Sequence, residues 1–234
     1  MSARREEMLE ELGLTPLWHR RTLQHVTDSA MEAIHQADVT NNRHARVMQM
    51  DWTQLKVSVA DCAACPLHQT RTHSVFGAGD ENADWLWVGE SPGVEEDANG
   101  TPFVGQVGKL LDNMLAAISL KRDSNVYITN IVKCHPPANH NPENAEALQC
   151  HPYLARQIEL IQPRLIIALG NFASQSFLNT DATIASLRGK LHQFSGIPLI
   201  VTYHPSYLLQ TQADKTKAWE DLCFAKATMQ RLLQ

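Results

Sequence analysis

The alternation of apolar and polar positions divides the chain into two unlike stretches. From about residue 51 onward, short apolar runs interrupt longer segments of helical spacing: Trp85-Leu-Trp-Val88, Val126-Tyr-Ile-Thr129, Leu165-Ile-Ile-Ala-Leu169 and Leu199-Ile-Val-Thr202. Near-continuous runs of this kind are what strands buried on both faces present. The spacing between them predicts helices near 105–120, 143–161 and 171–179, and a last one from about 214 to 233. Strands alternating with helices imply a parallel sheet covered on its faces, an α/β fold. Residues 1–50 carry no strand signal; they are charged and helix-prone with scattered apolar positions. The expected organisation is a helical N-terminal extension, 1–50, ahead of an α/β domain, 51–234.

Each apolar run gives way to residues suited to a ligand. The first leads into Gly89-Glu-Ser-Pro-Gly93, the second into Asn130, the third into Gly170-Asn171 and the fourth into His204-Pro-Ser206. Ligands of open parallel sheets bind beyond the carboxyl ends of the strands. A Glu, an Asn and a His at such ends predict one convergent site. Phe103, in the Gly- and Pro-rich stretch Gly100-Thr-Pro-Phe-Val-Gly105, reads as a stacking platform rather than a core residue.

Composition narrows the partners. With 44% hydrophobic and 19% charged residues among 234, the chain reads as an ordinary globular protein. Its longest apolar runs are too short to span a bilayer and its start lacks a signal-peptide stretch, so a cytoplasmic protein with no membrane contact is expected. The net charge of −5 argues against non-specific coating of nucleic acid. It leaves room for an enzyme that grips a few phosphates through a local basic rim.

The five cysteines read as thiols or ligands rather than disulfides. Cys62 and Cys65 form a C-x₂-C pair, whose two intervening residues let both thiolates point at one centre. Cys134 comes soon after the second apolar run and Cys150 falls on the helix after it. Four thiolates suit a zinc ion or an iron–sulfur cluster, with buried free thiols as the alternative. Cys223 reads as a core residue of the last helix.

Three stretches then bear a resemblance. GESPGVEEDANGTPFVGQVGKLLDNML, VYITNIVKCHPP and HPSYLL resemble motifs of the family 4 uracil-DNA glycosylases, and the four cysteines keep that family's order and approximate spacing. The resemblance spans about residues 55–233. It implies a three-layer α/β/α sandwich around a four-stranded parallel sheet, and a [4Fe–4S] cluster held by Cys62, Cys65, Cys134 and Cys150. It further implies that Phe103 stacks on a flipped uracil, Asn130 reads its polar edge, Gly89 to Ser91 line the pocket and His204 stands beside the scissile bond. Glu90 is the expected water-positioning carboxylate, with Glu96 or Asp97 as alternatives. The implied activity is hydrolysis of the uracil N-glycosidic bond in DNA by a monomer; the alternative is a replisome-associated DNA-binding module that keeps the fold and cluster.

Two departures from the family pattern bear on this. Ser91 stands where Ala is usual, and Gln210 where Arg is usual, a loss of charge that either weakens the grip on DNA or shifts it to Arg188, Lys190 or Lys133. In the extension, Met8, Leu9 and Leu12 make an apolar stripe, with Gly13 as a C-cap and Leu14, Leu17 and Trp18 beyond it. Residues 4–21 resemble the clamp-loader-binding peptide of the DNA polymerase III psi subunit, which implies the polymerase III clamp loader as a partner.

Overall fold

The four apolar runs pair as the inner strands of one sheet. In the computed structural model the described residues are 42–137 and 141–234, with Met8 and Glu11. The strands are β1 (Ala78–Gly79), β2 (Trp85–Gly89), β3 (Val126–Asn130), β4 (Leu165–Leu169), β5 (Leu191–Phe194) and β6 (Ile197–Thr202). Their order across the sheet is β1-β3-β2-β4-β6-β5. The inner four are parallel, with Gly89 opposite Asn130 and Leu169 opposite Thr202. β1 and β5 pair antiparallel at the two edges, so the sheet has six strands where the sequence predicts four. Both additions escape an apolar-run reading: β1 is two residues long, and β5 is half-buried and exposed in alternation. β5 turns into β6 through Ser195 and Gly196, both at positive φ, as a tight two-residue hairpin requires.

Helices cover the sheet on both faces: α1 (Trp52–Ala60), α2 (Val94–Asn99), α3 (Gly105–Ala117), α4 (Asn144–Ile161), α5 (Asn171–Leu178), α6 (Ile184–Leu187), α7 (Pro205–Gln210) and α8 (Lys215–Leu232). Because successive strand side chains point to opposite faces, two cores form. Leu86, Val88, Tyr127, Ile166 and Val201 pack with Leu154 and Ile158 of α4 and with Phe177 of α5. Trp87, Ile128, Ile167 and Ile200 pack with Leu111 and Leu115 of α3 and with Leu222 and Met229 of α8. This is the three-layer sandwich. Each fully buried Leu, Ile or Val contributes roughly 1.5–3 kcal/mol against leaving it in water.

The chain divides into two units, Met1–His44 and Ala45–Gln234. Apart from Met8 and Glu11, residues 4–21 lie outside the described residues, and so does most of the 1–50 extension. Within the second unit, Val47 is buried with Leu55, Val59 and Tyr153, and Arg156 Nε donates to the Met50 carbonyl at 2.7 Å. Asp51 starts α1 with a capping box, accepting from the Gln54 N–H at 2.8 Å. α1 runs from there to Ala60, directly before the Cys62–Cys65 loop. Among the described residues no helix is long and apolar enough to cross a membrane.

Candidate active site

The sheet order reverses at β2: β3 lies on one side of it, and β4 and β6 on the other. Such a switch point opens a crevice at the carboxyl ends of the strands. Glu90, Asn130, Gly170 and His204 stand at or just past the ends of these four strands, and the structure brings all four to one place. A Cβ built on Gly89 would meet Asn130 Oδ1 and Phe103 Cζ. One built on Gly170, where φ is +97°, would meet Glu90 Oε1 and stand 3.1 Å from His204 Cβ. Both glycines are therefore spacers that let functional side chains close on the backbone. In the sequence Gly170 is only the end of a strand; its role as a wedge between Glu90 and His204 emerges with the fold.

Asn130 is 1% exposed, and neither its Oδ1 nor its Nδ2 has a hydrogen-bond partner. It is the one side chain among the described residues with two atoms in that state. A buried unpaired amide costs free energy, about 1–3 kcal/mol per group, unless a ligand supplies the partners. Phe103 lies beside it, its ring centroid 5.5 Å from that of His204 with the planes 33° apart. The ring is only 3% exposed, so in this state it is packed, against Gly89, and not the exposed platform that its loop composition predicts.

Phe103 is held from both sides. Its N–H donates to Glu96 Oε1 at 2.6 Å, and Arg122 donates to the Phe103 and Pro102 carbonyls at 3.1 and 3.0 Å. These bonds hold a non-glycine residue at φ +54°. Arg122 also pairs with Asp112 at 2.9 Å. Nothing in the sequence patterning singles out Arg122.

The three candidate carboxylates separate by what they hold. Glu96 is taken up by the loop: its Oε2 also accepts from the Gly93 N–H at 2.7 Å. Asp97 accepts from the Thr72 N–H at 2.8 and 3.0 Å, which ties down the 70–73 segment. Glu90 Oε1 accepts from the Phe172 N–H at 3.0 Å, at the start of α5, where the helix end favours negative charge. Burial nonetheless raises the Glu90 carboxyl above the usual carboxylate range, with the Phe172 and Asn171 N–H groups opposing. Burial raises Glu96 as well.

His204 caps α7. Its Nδ1 accepts from the Ser206 N–H at 3.2 Å and stands 2.7 Å from the Ser206 hydroxyl. A backbone N–H can only donate, so Nδ1 carries no proton and Nε2 carries it in the neutral ring. Burial lowers the imidazole to about 4, which keeps it neutral near pH 7. Ser91 is half-buried directly after Glu90.

On the α4 side, Cys62, Cys65, Cys134 and Cys150 line one pocket together with Arg71 and Lys133. Among the described residues no three His, Cys, Asp or Glu groups are placed to hold a single metal ion. Arg71 donates to Cys134 Sγ at 3.0 Å. Burial raises Cys65 and Cys134 and pushes Cys150 up to about 12, so four ionised sulfurs there need strong positive compensation.

Two expectations fail on geometry. Lys133 is 1% exposed and inside the protein, so it cannot meet a phosphate. Cys223 is exposed rather than core, because α8 buries Ala218, Leu222, Ala225 and Met229 and position 223 falls off that stripe. Of the other candidate basic groups, Arg188 is tied to Asp221 and Glu220, and Lys190 donates to the Ser186 carbonyl at 2.8 Å.

Comparison with known proteins gives a consistent result. Residues 76–223 match the family model described as the uracil DNA glycosylase superfamily. A type-4 uracil-DNA glycosylase of Archaeoglobus fulgidus is 43% identical over 159 residues, covering 64% of this chain and 79% of that protein. One from Thermotoga maritima is 40% identical over 177 residues, and one from Pyrobaculum aerophilum 37% over 181; each alignment covers 74% of this chain and 92% of the relative.

Proposed function

Since the chain belongs to the uracil DNA glycosylase superfamily, and within it to the type-4 glycosylases, we propose that it hydrolyses the N-glycosidic bond of uracil in DNA and leaves an abasic site. The observation that carries this reading is the Asn130 amide, buried with donor and acceptor both unpaired beside Phe103. A uracil edge offers an acceptor carbonyl and a donor N–H and would satisfy both. Cytosine offers the opposite pattern and would leave groups unpaired.

The base must leave the stack before its bond to the sugar can be reached, at a cost of a few kcal/mol. Phe103 returns part of that by stacking on the extruded ring, while Gly89 and Ser91 line the pocket. As the bond between C1′ and the base nitrogen breaks, its electron pair leaves with uracil. His204 donates from Nε2–H to the oxygen where this charge gathers. Its neutral form suits the task, since it donates without giving up a proton that the protein would have to recover. Water adds to C1′, and Glu90 orients it and takes its proton. The raised Glu90 carboxyl makes this carboxylate a better base than one in water. Glu96 and Asp97, occupied by the backbone, hold the loop instead.

The four-cysteine pocket fits a [4Fe–4S] cluster by its donor set. Thiolates bind such clusters, the four cysteines line one pocket, and Arg71 supplies positive charge at a sulfur. When bound, the cluster would join the Cys62–Cys65 loop, the segment after β3 and α4; hydrolysis moves no electrons, so its contribution is structural. The 1–50 segment would serve as a partner-docking extension, with residues 4–21 directed at the clamp loader.

The test is strand scission by alkali of an oligonucleotide carrying one uracil after incubation with the enzyme, run beside Asn130→Ala and with the visible absorption recorded. Scission by the wild type alone, from a brown protein, is the expected result. A brown, folded wild type that leaves uracil in place would overturn the glycosylase reading in favour of a DNA-binding module.

A further inference from the structure

Lys133 is the only lysine or arginine among the described residues that is fully buried, and the chemistry above gives it no task. Its ammonium donates to Thr129 Oγ1 at 2.6 Å, to Gln157 Oε1 at 2.6 Å and to the Asn130 carbonyl at 2.9 Å. All three of its donors are used. The acceptors are themselves braced: the Thr129 hydroxyl and Gln157 Nε2 both donate to the Phe76 carbonyl, at 3.0 and 2.9 Å. On its other side, Lys133 lines the cysteine pocket, and its backbone N–H bonds to Cys150.

Every hydrogen-bond acceptor of this buried cation is neutral. Neutral acceptors alone leave a buried charge under-compensated. Burial works against the ammonium, and charge on Cys150 and Cys134 works in its favour. One side chain thus joins the corner that collects negative charge to the carbonyl of the residue that reads the base.

We infer that Lys133 is a positioning residue: its ammonium, held against the charge of the four-cysteine corner, fixes the Asn130 peptide and so sets the aim of the base-reading amide. This rests on the uracil-pocket reading of Asn130. Removing the ammonium leaves the Asn130 carbonyl unpaired, so that this peptide is held only through the Ile131 N–H, which donates to the Gly89 carbonyl at 2.9 Å, and its tilt is less tightly set. The amide then misses the uracil edge.

The experiment compares cluster-loaded wild type, Lys133→Met and Thr129→Val. One readout is visible absorption per protein. The second is equilibrium affinity for an oligonucleotide carrying 2′-fluorinated deoxyuridine, whose glycosidic bond resists cleavage, measured against the same strand with thymine. Lys133→Met should keep the absorption and its affinity for the thymine strand, and lose about 10- to 100-fold in preference for the uracil strand, the usual scale for outer-shell supports. Wild-type preference in a fully coloured Lys133→Met overturns the inference. If Lys133→Met does not fold or take up the cluster, Thr129→Val decides. It removes one anchor that bonds no cysteine, so reduced uracil preference at full colour supports the inference and unchanged preference overturns it. A wild type with no preference for the uracil strand would instead sink the pocket reading beneath it.

Discussion

The loop 93–103 and the rim formed by Glu90, Asn130 and His204 are built from the same materials, buried carboxylates and amides against glycine, yet they differ in one respect. In the loop both buried carboxylates have their oxygens engaged: Glu96 takes the Gly93 and Phe103 N–H groups, and Asp97 takes that of Thr72. At the rim the Asn130 amide is buried with no partner at all. A region whose polar groups satisfy one another holds shape. A region that withholds them is arranged for a ligand. The contrast separates a scaffold from a candidate site.

Asn130 puts this contrast to its most severe trial. Asn130→Ala should lose about 10³-fold in uracil excision, the scale of removing a preorganised polar contact, with no loss in melting temperature, since nothing in the free protein pairs with the amide. A variant that is destabilised but active would reverse the assignment. Glu90→Gln comes next, with a fall of about 10²-fold in single-turnover rate. The Glu90 carboxyl is raised in the folded protein, so its contribution to stability is complete below the unfolded value and lost as pH rises through the folded one. At pH 7 the neutral Gln should therefore melt at or above the wild-type temperature, which calorimetry would reveal.

Glu96→Ala tests the other side. Losing two charge-assisted bonds to backbone N–H groups should cost about 2–4 kcal/mol in denaturant unfolding, and more in stability than Glu90→Gln costs. Equal stability of the two variants would erase the distinction. The mildest change belongs to His204. Its folded value of about 4 lies below the unfolded one, so the unfolded chain binds the extra proton between them, and stability falls as pH drops from about 6.5 toward 4. For a half-buried ring this is worth about 1 kcal/mol at pH 5. His204→Gln should show a correspondingly flatter profile in thermal melts taken across that range.

The inner strands and the four helices between and after them are legible because burial on both faces, or along one helical stripe, writes itself into the order of residues. The edge strands are not: β1 is too short for a pattern and β5 alternates as an exposed loop might. Among site residues, Glu90, Asn130 and His204 stand out because polar groups at strand ends are chemically conspicuous. Choosing among Glu90, Glu96 and Asp97 requires knowing which backbone N–H groups they meet, and those come from residues up to 82 positions away. Lys133 escapes for the same reason. A lysine beside a cysteine looks like surface, and only the packing of Gln157 and Thr129 around it reveals a buried cation.

The two antiparallel edges also govern how the protein keeps its own company. An open sheet ends in rows of free N–H and C=O groups that can template pairing with a neighbouring chain, the first step toward aggregation. Here one margin is a two-residue strand between Gly77 and Asp80, too short to recruit a partner, and the other is the outer arm of a hairpin. The long parallel strands, which carry the apolar side chains, are all interior.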